Sequence, residues 1–109
     1  MDIVYSVESK VTIKNEVGTG EKSCTCGPWL GHWEKHSKRK ASTCSVDGCT
    51  EVATVGAHIS RPNAKSDVYK THPQIVPMCK THNGKHGAEF VSKANTTFVW
   101  ANVKETCGN

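Results

Sequence analysis

Four residues of this chain have the types and spacing of a metal clamp. Cys44 and Cys49 are separated by four residues, 29 residues follow, and Cys79 and His82 are then separated by two. Thiolate and imidazole are the ligands zinc prefers, and a closed tetrahedral set of this composition is structural, leaving no open position for a reacting group. Function is therefore expected in the segment between the pairs, where His58 stands alone in Gly56-Ala57-His58-Ile59.

A chain of 109 residues buries only a modest core, so a staple of this kind has a purpose. Six cysteines also fit a disulfide framework. The N-terminal Met1-Asp2-Ile3-Val4-Tyr5-Ser6 lacks the basic and apolar regions of a secretory signal, which points to an intracellular, cytoplasmic setting where metal binding is the better reading. The sequence holds no apolar run of the roughly 18 residues that a membrane helix needs, so no membrane association is expected. The formal net charge of +4 is compatible with nucleic acid without establishing it. Lys38, Arg39 and Lys40 form the one dense basic cluster, either a phosphate contact or a solvated linker.

Two further groups invite a ligand reading. His32 and His36 stand at i and i+4, but Glu34 is displaced by one position from the general base of a helical zinc-protease motif, which argues against that chemistry. Cys24, Cys26 and Cys107, with His36 or His32, make a possible second Cys3His zinc site tying the N-terminal segment to the C-terminus; unpaired thiols and a loose tail are the alternative.

The elements that must position these groups follow from the pattern. Ile3, Tyr5, Val7, Val11 and Ile13 alternate with polar residues as in a half-buried strand or hairpin, and residues 15–22 read as a loop. Pro28 suits the first turn of a helix running to about His36, with Trp29 and Trp33 on one face as core residues. Asp47-Gly48 supplies the turn inside the first cysteine pair. Val52–Val55 reads as a strand that Gly56–Ile59 continues or returns, residues 60–72 as a loop, and Ile75–Met78 as a strand that Pro77 assigns to a sheet edge. A helix from Cys79 to about His86 ends at Gly87, and Phe90-Val91 and Thr97–Trp100 close the chain as strands. The fold class is α+β in one domain: a strand and helix extension over residues 1–40, a zinc core over 44–86 and strands over 88–109.

On these residues the chain resembles the HNH endonucleases. Gly56-Ala57-His58-Ile59 and Gln74-Ile75-Val76-Pro77-Met78-Cys79-Lys80-Thr81-His82-Asn83 are similar to that family's pattern, in which a histidine ends the first strand and an Asn-Leu-x-x-Leu-Cys segment forms the second. The resemblance covers residues 44 to about 86 and implies a treble-clef, ββα-metal core with a structural zinc on Cys44, Cys49, Cys79 and His82. It also implies hydrolysis of a nucleic-acid phosphodiester, DNA favoured, with His58 as general base and magnesium or another divalent cation beside it.

The chain departs from that pattern at three places. The acidic residue or histidine that often precedes the base is Ala57, the middle asparagine is Gln74, and the final metal-binding histidine is Asn83, with His86 three residues on as a possible substitute. A different alignment makes His82 the catalytic-metal ligand and leaves the zinc one ligand short. Asp67 and His72, in the loop between the strands, are further possible ligands. The competing expectation is a zinc module without catalysis that binds nucleic acid or a protein partner.

Overall fold

The computed structural model describes residues 3–16 and 29–101. In chain order the elements are β1 (Val4–Val7), β2 (Thr12–Asn15), α1 (Trp29–Ser37), β3 (Val55–Ser60), α2 (Asp67–Thr71), β4 (Gln74–Met78), α3 (Lys80–Asn83), β5 (Glu89–Val91) and β6 (Thr96–Trp100). The strands form one antiparallel sheet in the order β1-β6-β4-β3-β2-β5. The α+β class is as expected.

The sheet is strongly coiled, and its registers show why. Followed strand to strand on a flat sheet, they would put Val7 and Thr12 roughly 30 Å apart, from about 4.8 Å per strand and about 3.3 Å per residue. The four residues between them, five Cα–Cα steps in all, reach at most about 18 Å. The edges must therefore curve toward each other, and they do share one core. Tyr5 and Val7 from one side and Val11, Ile13 and Phe90 from the other pack with Ala57, Ile59, Val76, Met78 and Phe98. Of the two expected arrangements, strand or hairpin, the hairpin does not form: β1 pairs with β6, and β2 with β3 and β5.

Helix α1 covers the outer face. His58 lies opposite Ile75 and Gly56 opposite Pro77, and with a side-chain period of two all four face α1. Trp33 is 5% exposed against Ile75 and Val99, and its indole N–H donates to the Thr97 carbonyl at 3.0 Å. His32, fully buried, donates from Nε2 to the Trp100 carbonyl at 3.0 Å. Gly56 is where α1 comes closest: a Cβ there would lie 2.5 Å from the Leu30 nitrogen and the Trp29 carbonyl carbon. Only glycine permits that approach.

Four further expectations change. β4 is an interior strand, not an edge. Pro77 is tolerated because β6 pairs only with Gln74 and Ile75; beyond them the Pro77 carbonyl accepts from both the backbone N–H and the hydroxyl of Ser45. A residue's N–H and C=O point to the same side of a strand, so the missing donor costs no ladder bond there. Val52 makes only an isolated bridge to Thr43, and the strand begins at Val55. The segment between β3 and β4 contains α2, whose Tyr69 joins Tyr5, Phe98 and Trp100 in an aromatic cluster beside Arg61, 5.0 Å from the Tyr69 ring. Finally, α3 stops at Asn83, short of His86, and Gly87 takes a φ of +80°.

Candidate metal centre and adjoining cleft

The first cysteine pair sits on a tight turn. The Cys44 N–H donates to the Glu51 carbonyl and the Cys49 N–H to the Val46 carbonyl, while Gly48 supplies the left-handed residue at φ +81°. The second pair straddles the start of α3, with Cys79 in extended conformation just before it and His82 within its single turn. The ligand atoms of Cys44, Cys49, Cys79 and His82 all lie within 4.8 Å of one another. Tetrahedral zinc with bonds of about 2.3 Å to sulfur and 2.0 Å to nitrogen separates S from N by roughly 3.6 Å. The Nδ1 of His82 is 3.6 Å from Cys44 Sγ and 3.2 Å from Cys79 Sγ. The Phe90 ring backs the imidazole edge to face at 5.0 Å. This Cys3His set fits a metal ion such as zinc.

The thiols are not equivalent. Burial pushes Cys44 up to about 11. Burial also opposes ionisation of Cys79, but the N–H dipoles of His82 and Thr81 and the thiols of Cys44 and Cys49 outweigh it and bring the group below its ordinary range.

Beside this clamp lies a cleft of about 260 Å³ lined by Glu16, Trp29, Gly56, His58, Asn83 and His86 among others. The structure thus brings together the three residues that the sequence assigns to a reacting centre, His58, Asn83 and His86. His58 is 7% exposed, and the Trp29 ring meets it edge to face at 4.5 Å. Ala57, next in the chain, is 1% exposed in the opposite, core face and has no access to the cleft.

Asn15 and Glu16 are what sequence reasoning missed. Asn15, 2% exposed, donates from Nδ2 to the carbonyls of Asn83 at 2.7 Å and Lys85 at 3.1 Å, and its own backbone pairs with Gly87 and Ala88. The end of β2 is thereby fastened to the chain leaving α3. The register then sets Glu16 directly across from His58, with the Glu16 N–H donating to the His58 carbonyl at 2.9 Å. Directly opposed residues on one sheet face are neighbours, and Glu16 and His58 line the same cleft. The sequence marked these residues only as the start of a loop, because their partners are remote in the chain: Asn83 and Lys85 for Asn15, and His58 for Glu16.

Other candidates are placed elsewhere. Gln74 is fully buried and braces the β3–β4 connection, donating from Nε2 to the carbonyls of Tyr69 and His72. His72 pairs with Thr71 and Asp67 with Lys70, both exposed and away from the cleft. The His32 and His36 rings lie 4.8 Å apart, and the hydrogen bond from His32 to Trp100 makes it a structural histidine. The second zinc site cannot be followed, since Cys24, Cys26 and Cys107 fall outside the described residues. Arg39 and Lys40 line a separate cleft that Lys38 does not. Among the described residues, the Cys3His set is the one group of three or more His, Cys, Asp or Glu whose ligand atoms converge, and no helix there is long and apolar enough to cross a membrane.

No protein-family model, no curated protein and no solved structure matches the chain.

Proposed function

We propose that the chain is a metal-dependent endonuclease of HNH type, a treble-clef module in which the Cys3His set holds structural zinc and His58 is the general base. One observation carries this reading: His58, Asn83 and His86 line one cleft beside the clamp, with Glu16 across the sheet from His58. The chain order β3, α2, β4, α3 supports this reading if α2 is an insertion in the connection between the two strands.

In this reading His58 takes the proton from a water that attacks the phosphorus of a phosphodiester, the P–O bond to the leaving oxygen breaks, and that oxygen takes a proton from solvent. The Glu16 carboxylate stabilises the imidazolium that results, as an acidic neighbour favours the charged form. Asn83 and His86 would hold a divalent cation, whose chemistry is to neutralise charge on the scissile phosphate and leaving oxygen. Trp29 walls the cleft and restricts water around the imidazole.

A zinc module that binds without cleaving is the second reading, favoured by the placement of Ala57 in the core and by the lack of a second convergent ligand set among the described residues. Divalent-ion-dependent cleavage of plasmid DNA, lost in His58→Ala, separates the two.

A further inference from the structure

A second cleft, of about 230 Å³, lies at the other end of α1, between the turn that leaves the helix and the β5–β6 turn. Arg39, Lys40 and Lys93 line it together with Ser42, Thr43 and Asn95. The chain builds this wall through a reversal after α1. Lys38 adopts a left-handed conformation with φ of +59°, and the Glu34 carboxylate accepts the Ala41 N–H at 2.9 Å, turning residues 39 and 40 back along the helix end. Opposite them, Lys93 is fastened from Nζ to the Cys49 carbonyl at 2.6 Å and the Thr43 hydroxyl at 3.2 Å.

The charge in this cleft is uncompensated. The ion pairs among the described residues are Lys10 with Asp47 and Lys70 with Asp67. None involves Arg39, Lys40 or Lys93, no carboxylate is among the lining residues, and the Glu34 carboxylate beside the turn is engaged by backbone. Three cations with hydroxyl and amide groups between them match an oxyanion bearing several acceptors. From these observations we infer that the cleft is a phosphate-binding subsite, and that its phosphate belongs to a nucleic-acid backbone.

Placement argues for the backbone over a free ion. Pro77 lines this cleft and Gly56 lines the His58 cleft, and the two are cross-strand partners on the α1 face. The two linings therefore adjoin on the α1 side of the sheet, one including Trp29 and Leu30 at the start of the nine-residue helix and the other Arg39 and Lys40 just beyond its end. Nine residues span roughly 13 Å, about four base-pair rises of 3.4 Å along a duplex axis. A strand gripped at Arg39, Lys40 and Lys93 can thus present a phosphodiester a few nucleotides away to His58. This extends the nuclease reading by naming where its substrate is held.

The test measures duplex DNA binding by fluorescence anisotropy in full-length protein carrying His58→Ala, with no divalent ion added, at several salt concentrations. Arg39→Gln/Lys40→Gln and, separately, Lys93→Gln are compared with that parent, with zinc content and melting temperature recorded for each. Because Lys93 also ties down the cysteine turn, the surface double variant is the deciding one. The double variant is expected to bind about tenfold more weakly, with the slope of log K against log salt reduced by about 1 to 2. Unchanged affinity and slope would overturn the proposal. Inorganic phosphate, titrated by heteronuclear NMR, distinguishes the source. Shifts at Thr43 and Lys93 without any duplex binding would keep the phosphate site and overturn its nucleic-acid assignment. The two functional claims fail separately: salt-dependent binding with no cleavage by the wild-type protein under any divalent ion sinks the nuclease reading alone, whereas binding untouched by the double variant sinks the subsite alone.

Discussion

Trp29 and His58 meet edge to face, ring centroids 4.5 Å apart and ring planes 81° to one another. One comes from the first residue of α1, the other from the middle of β3, so the N-terminal extension is part of the wall around the histidine. That contact exists because Gly56 lets the helix backbone descend onto the strand.

Gly56→Ala tests this approach. The added methyl would press on the backbone of Trp29 and Leu30, which cannot rotate away as a side chain would. Overpacking of this kind costs about 2 kcal/mol, and the melting temperature should fall by roughly 10 °C for a chain of this size. Tryptophan fluorescence should shift to the red as Trp29 moves off His58. An alanine variant that melts with the wild type would show that the helix does not rest on the strand as described.

Removing one ligand tests the clamp. Cys44→Ser should retain one zinc fewer per chain than the wild type and lose cooperative thermal unfolding. A structural zinc contributes on the order of 10 kcal/mol at neutral pH, comparable to the whole stability of a small domain. Chelation of the wild type should unfold the chain, and zinc should restore it. Equal zinc content in the two proteins, by elemental analysis, would dismiss the site.

His32 predicts a pH dependence. Desolvation by burial is the main cause that lowers its pKa below the ordinary 6.5, opposed by its bond to Trp100 and reinforced by His36 and Lys35. The unfolded chain therefore binds a proton that the folded chain resists, and folding stability falls as pH drops below about 6.5. His32→Gln keeps a donor where Nε2 stands and removes the titration. Between pH 7.5 and 6 the loss of melting temperature should be smaller in the variant than in the wild type, a difference that cancels any acid lability of the metal site. Parallel curves would refute the assignment.

How much of this was legible in the sequence depended on range. Cys44, Cys49, Cys79 and His82 could be read because ligand spacing within each pair is local, and β4 and β6 because their apolar runs are dense, whereas the strand read over Val52–Val55 begins only at Val55. The sheet order could not be read. Ser6 meets Thr97 across 91 residues, and Asn15 meets Asn83 across 68, with no local pattern that names the partner. Pro77 misled because its ring forbids a ladder bond only on one side, and the place of that side in the sheet is a tertiary fact. Glu16 was overlooked for the same reason: only the register opposite His58 gives it a chemical neighbour.

The central claim is that His58 in this cleft is a general base for phosphodiester hydrolysis. Its most direct test is nicking of supercoiled plasmid by zinc-loaded protein with magnesium, manganese or nickel, comparing wild type, His58→Ala and Glu16→Gln at equal zinc content and melting temperature. The account predicts metal-dependent nicking that falls about a hundredfold or more in His58→Ala and by a smaller factor in Glu16→Gln. Nicking that persists unchanged in His58→Ala, or that is absent from the wild type with every metal, would contradict it.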